Sequence, residues 1–160
     1  MHDEGCRGAP AVPPELAQSL GWLLARSGQQ VAQALSAALA EHDVTPRALS
    51  VLQAAAPQPR PQLGLAAAVG LDKTTMVSTV DALERRGLVR REVHPRDRRL
   101  RLVAVTDEGR ALLQRADAAA RRAEHAVLAG LPGDDRHRLL ALLRAVVAAA
   151  PGGPPSGSCV

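Results

Sequence analysis

The 160-residue chain contains no phenylalanine and no tyrosine, and Trp22 is its single aromatic side chain. Proteins that grip single strands stack bases on aromatic rings, so that mode of nucleic-acid binding is excluded. Duplex binding is not, because grooves are read with arginine and short polar side chains. A core must therefore be built from Leu, Val and Ala, and a hydrophobic content of 46% is enough to build one. Cysteine is scarce as well. Cys6 and Cys159 lie in Pro/Gly/Ser-rich terminal stretches with no core to staple, and read as two reduced, idle thiols. No run is long and apolar enough to span a bilayer, and the polar start MHDEGC lacks a basic-then-apolar signal, so a cytoplasmic location without membrane partners is expected.

Catalytic and cofactor chemistry is also missing. Gly64 and Gly70 are separated by five residues and no Gly-Lys-Ser/Thr follows, so the phosphate-loop pattern fails. Glu41, His42 and Asp43 with His125 and His137 lack the paired spacing of zinc ligands and read as solvated or capping groups. No nucleophile–base pair is legible, which leaves an enzyme with a basic substrate site without its geometric prerequisites.

What the chain does have is concentrated charge. Residues 85–101, RRGLVRREVHPRDRRLR, hold eight arginines against Glu92 and Asp97, a net +6 where the whole chain is only +4. Positive charge focused on one short stretch points to phosphate neutralisation on nucleic acid.

Residues 1–13 read as a flexible tail. Pro14 can open a helix, and Leu16, Leu20, Leu23, Leu24, Val31, Leu35 and Leu39 recur at helical spacing to about Glu41, with Gly28 as a weak point. That stripe is larger than a small domain covers, and a second subunit would cover it. Thr45-Pro46 starts a short helix that breaks at the proline run 57–61. A third helix spans about 62–69, Gly70-Leu71 makes a turn, and Asp72 caps a fourth over 73–86 that Gly87 ends. The period then changes to two. Strands around Val89–Val93 and Arg99–Ala104, joined by a turn at Pro95–Arg98, form an arginine-tipped β-hairpin. Thr106 caps a helix to about Ala129, the break at Leu131-Pro132-Gly133 precedes a last helix at about 134–149, and 151–160 reads as a disordered tail. The expected fold is mainly α: a winged helix-turn-helix with a two-stranded β-wing and a helical lobe.

On the fourth helix Met76, Val80 and Leu83 share an inward face. Thr74, Ser78, Asp81 and Arg85 lie opposite, with Thr75 at the edge. A slim face of Thr and Ser can lie close in a major groove, and Lys73, the chain's only lysine, sits where a helix N-terminus favours phosphate. Thr74, Thr75 and Ser78 are thus the candidate base readers. Arg98 and Arg99 are candidates for the minor groove, and Asp97 is placed to hold the Arg99 guanidinium. Lys73, Arg85, Arg86, Arg90, Arg91, His94 and Arg96 are candidates for phosphate.

From Leu65 to Gly109 the chain resembles the MarR (multiple antibiotic resistance regulator) family. The likeness is carried by Leu65-Ala66, Gly70-Leu71, Val80, Leu83-Glu84, Gly87-Leu88-Val89, Arg91, the Asp97-Arg98-Arg99 tip and Thr106-x-x-Gly109. The resemblance implies a homodimer on a pseudo-palindromic double-stranded DNA site, usually modulated by a small molecule. It divides the chain into an N-terminal dimerisation helix at 14–44, a DNA-binding domain at 45–106 and C-terminal dimerisation helices at 107–150. Two departures stand out. Ser78 and Ala82 are small where family members often carry a long side chain, and a Cys6 in the tail without tyrosines does not suit peroxide sensing. Trp22 packs in the core or dimer or, with Arg26, walls an effector pocket for an aromatic acid. The reading is a ligand-responsive repressor. The alternatives are an architectural protein that coats DNA without sequence choice and an adaptor that has lost DNA binding.

Overall fold

The computed structural model describes residues 12–149; residues 1–11 and 150–160, with Cys6, Cys159 and nearly all of both expected tails, lie outside them. The first helix is two. Pro14–Ala17 (α1) is a single turn, and Ser19 leaves the helical region to cap Leu20–Leu39 (α2), its hydroxyl accepting from the Trp22 amide at 3.3 Å. A serine with a free amide three residues on competes with helix continuation. Gly28 does not interrupt α2, which passes into a tight turn at Ala40–His42.

Thr45 caps Pro46–Ala55 (α3), accepting from the Ala48 amide at 3.1 Å. The proline run then contributes a strand that its composition hides. Arg60–Pro61 (β1) pairs antiparallel with the wing, Arg60 opposite Val103 and Pro61 opposite Leu102. An edge position tolerates proline, since its missing N–H faces away from the ladder. Gln62–Val69 (α4) follows, and Gly70, at φ 68°, closes it in the left-handed region that glycine enters freely. Lys73–Arg85 (α5) comes next, then Val89–His94 (β2) and Asp97–Val105 (β3). The expected hairpin is thereby part of a three-stranded sheet ordered β1-β3-β2.

Asp107–Val127 (α6) packs along α2, and Gly133–Ala149 (α7) ends the described chain. The core is aliphatic. Leu39, Leu52, Leu65, Met76, Val80, Leu83, Val89 and Val103 are at most 2% exposed, so α3, α4, α5 and the sheet close on the end of α2. By contrast α7 buries no residue, and Leu142, Val146 and Val147 are 58%, 62% and 76% exposed. Leu20, Leu23 and Leu24 of α2 are exposed too. No helix of the described residues is long and apolar enough to cross a membrane, and none of their His, Cys, Asp and Glu side chains cluster in threes around a metal-sized space.

Candidate nucleic-acid interface

Asp72 sets the start of α5. Its carboxylate accepts from the Thr75 amide at 2.9 Å. Hydrogen bonds from the Thr75 side chain and then its amide hold the Asp72 carboxyl below its ordinary value. Met76, Val80 and Leu83 anchor the inward face, while Lys73, Thr74, Val77 and Ser78 are exposed and Thr75 is half-buried at the edge. The hydroxyls of Ser78 and Thr79 both donate to the Thr75 carbonyl, at 3.0 Å and 2.7 Å. Their protons are thus held by the helix, and only their lone pairs face outward. Val77 was missed by sequence reasoning, which sought polar groups; its angular position beside Thr74 on the outward face was the available signal.

The junction between α5 and the wing is polar. Arg91 on β2 donates to Asp81 and Glu84 of α5 and, at 3.4 Å, to Gln62 of α4, while its amide donates to Glu84 at 3.0 Å. Burial disfavours the charged guanidinium, but the hydrogen bonds to Asp81 and Glu84 outweigh it, and Arg91 is held above its ordinary value. Arg91 was expected to face phosphate, and Asp81 to face outward; instead they bind each other. The reason is register: Arg91 lies opposite Val103, whose side chain is fully buried, so both point to the side of the sheet that α5 covers. Arg86 is also committed internally. It donates to the Asp43 carbonyl and lies 3.5 Å from the Asp43 carboxylate, closing the end of α5 on the turn after α2. Arg90 is exposed but paired with Glu92 at 2.6 Å.

The remaining basic groups stand clear. Among the described residues, the guanidinium groups of Arg85, Arg96, Arg98 and Arg99 make no hydrogen bond or ion pair with protein, and all four are exposed. The tip is not a plain hairpin. Val93 pairs with Arg101, but the next rung joins His94 to Asp97, so Arg98, Arg99 and Leu100 stand outside the ladder. A bulge of this kind re-aims side chains. Three local hydrogen bonds shape it. The His94 Nδ1 accepts from the amides of Arg96 and Asp97, both at 3.2 Å, and the Asp97 carboxylate accepts from the Arg99 amide at 2.9 Å. Asp97 therefore orders the backbone of Arg99 and does not bind its guanidinium. A carboxylate two residues before an amide in a turn reaches that amide first.

A MarR family model matches residues 42–100. A MarR family transcriptional regulator from Rhodococcus sp. RHA1 is 36% identical, covering 83% of this chain and 98% of that one, with a TM-score of 0.77. The chain belongs to the MarR family. It is a DNA-binding transcriptional regulator with a winged helix-turn-helix. This MarR-family chain is also similar to CouR of Rhodococcus jostii RHA1, solved bound to p-coumaroyl-CoA, at 35% identity over 88% of this chain and 99% of that one, TM-score 0.77. CouR, a transcriptional repressor, has been solved on a 23-mer DNA duplex as well, at 33% identity and TM-score 0.76. PcaV of Streptomyces coelicolor, in complex with its natural ligand, is 31% identical over 89% of this chain and all of that one, TM-score 0.71.

Trp22 is half-buried, and Arg26 is exposed with its guanidinium donating to Gln29 at 3.0 Å. Neither residue lines either of two hollows on the described surface, one between α3 and the end of α4 around Pro46, Arg47 and Leu71, the other along α7.

Proposed function

We propose that the protein is a homodimeric, ligand-responsive repressor that binds a pseudo-palindromic operator. In this reading 45–106 is the DNA-binding domain, and 14–44 and 107–150 form the dimer. The observation that carries it is the division of labour among the arginines. Arg91 locks the wing strand to α5, and Arg85, Arg96, Arg98 and Arg99 are left exposed and unpaired beside a helix whose outer face is Lys73, Thr74, Val77 and Ser78. The helix enters a major groove with Thr74, Thr75 and Ser78 at the bases. Arg98 and Arg99 reach the flanking minor groove, where narrow stretches concentrate negative potential. Lys73, Arg85 and Arg96 meet phosphates, with the free edge of His94 and the outer part of Arg90 beside them. Two such units face one side of the duplex with half-sites about 10 bp apart.

The bare apolar faces of α2 and α7 support the dimer, since a helix with no buried residue is marginal alone. The effector is proposed as an aromatic acid held by Trp22 and Arg26 at the junction that dimerisation completes. CouR and PcaV, each solved with a small-molecule ligand, support a ligand-responsive reading of the shared fold. A regulator of this kind works in the cytoplasm, on chromosomal DNA.

The test is selection of genomic fragments by the purified protein at near-physiological salt, beside Arg99→Ala. A few fragments sharing an inverted repeat are expected, with Arg99→Ala weaker by about 1–3 kcal/mol, the size of one good groove contact. Even recovery across the genome would instead identify an architectural coat, for which the short side chains of Ser78 and Ala82 leave room.

A further inference from the structure

The middle of α5 carries no side chain of the kind that reads purines in pairs. Between Lys73 and Glu84 there is no Arg, Lys, Asn or Gln. Beyond Thr74 and Thr75 in the first turn, the polar groups that are present before Glu84 are already occupied. Ser78 and Thr79 give their protons to the Thr75 carbonyl, and Asp81 is held by Arg91. What remains is Val77, 37% exposed on the outward face, one turn before Asp81 and one turn after Thr74. Its isopropyl group has water where a core residue has partners. In the major groove only one base edge offers an apolar group, the C5-methyl of thymine.

We propose that Val77 is a further specificity-determining residue of α5, beside Thr74, Thr75 and Ser78, and that it packs on a thymine C5-methyl group in each half-site. The inference rests on the reading of α5 as the helix that enters the groove. It makes the operator's methyl groups, and not only its hydrogen-bonding edges, part of the signal. The wing fixes the position of the contact, because the Asp81 and Glu84 carboxylates bound by Arg91 lie one and two turns beyond Val77 on the same stripe of the helix.

The experiment begins with selection of the tightest duplex from a randomised pool by the wild-type protein. That duplex is then made with each thymine in turn replaced by deoxyuridine, which deletes one methyl and keeps every hydrogen-bonding group. Binding is measured at fixed salt for wild type, Val77→Ala and Val77→Thr. Both substitutions are at an exposed helical site, and alanine is the better helix former, so the fold is retained. One thymine per half-site is expected at which deoxyuridine weakens the wild type about fourfold, the factor for one methyl-sized group returned to water. At that position Val77→Ala shows no loss and Val77→Thr an intermediate one, while all three proteins share the same salt dependence. If the pool yields a preferred duplex and Val77→Ala responds to every deoxyuridine as the wild type does, this inference falls and the regulator reading stands. If the wild type prefers no duplex, sequence-specific regulation falls and Val77 with it.

Discussion

Replacing Gly109 by alanine puts a methyl group where the chain has none to spare. A Cβ there would lie 2.0 Å from the Leu88 carbonyl oxygen, 2.8 Å from the Val105 Cγ1 and 3.0 Å from the Leu88 carbonyl carbon. Two of these are backbone atoms, so no rotamer change relieves the clash. The first turn of α6 must retreat by at least about 1 Å, and it is tied down by three hydrogen bonds. The Thr106 amide donates to the Leu88 carbonyl at 3.1 Å, the Thr106 hydroxyl to the Gly87 carbonyl at 2.7 Å, and the Gly109 amide to the Thr106 hydroxyl at 3.0 Å. Overpacking costs about 1–3 kcal/mol. Loss of one of these bonds adds about 1 kcal/mol. A total of roughly 3 kcal/mol corresponds to a Tm lower by about 6–12 °C for a chain of this length. Thermal unfolding followed by circular dichroism at one protein concentration measures it, since an associating protein's Tm depends on concentration. Because Leu88 leads straight from α5 into β2, operator affinity of the folded variant should fall in the same experiment series. A Tm within about 2 °C of wild type would show that α6 moves freely at this joint and would refute the argument.

Three further outcomes are expected. Asp97→Asn keeps an acceptor for the Arg99 amide and should bind operator at least as well as wild type, whereas Asp97→Ala should bind more weakly by fluorescence anisotropy; equal losses would restore an ion pair to the Arg99 guanidinium. The Asp72 carboxyl is held below its ordinary value of 3.8, so its charge stabilises the folded state above that value and the contribution is lost as pH falls through the lowered one. The Tm gap between wild type and Asp72→Asn should therefore be widest near neutral pH and close in acid, and a gap independent of pH would remove the charge from the cap. Trp22 fluorescence should quench on titration with the right phenolic or aromatic carboxylate, and a flat response across such a library would assign Trp22 to packing.

Much of this architecture is legible in the residues because local chemistry and packing agree. Thr45-Pro46, Asp72, Gly70 and Thr106 each mark a boundary by a mechanism that acts within four residues, and the Met76, Val80 and Leu83 stripe follows from helical period alone. Most of the misses have a different cause, contacts that form only in the folded chain. Arg60–Pro61 becomes a strand only because β3 is there to pair with it. Arg86 and Arg91 look like the other arginines until the fold brings Asp43, Asp81 and Glu84 to them, and composition cannot say which cations in a cluster have acids waiting. The break at Ser19 lay in plain view as a capping residue inside an apolar stripe, where periodicity outweighed it. Val77 is the inverse case, an apolar residue that the three-dimensional arrangement leaves outside the core.

The single lysine of the sequence is exposed at the first position of α5. An amine-directed acylating reagent therefore addresses one side chain in the whole protein, along with the chain's own amino terminus. That side chain stands at the helix end proposed to meet phosphate. Its rate of labelling becomes a local clock, slow when DNA covers the helix and fast when the helix is free, with no tag or engineered probe. The same arithmetic applies to enzymatic acetylation: one event would remove the only ammonium from this interface and leave every guanidinium untouched.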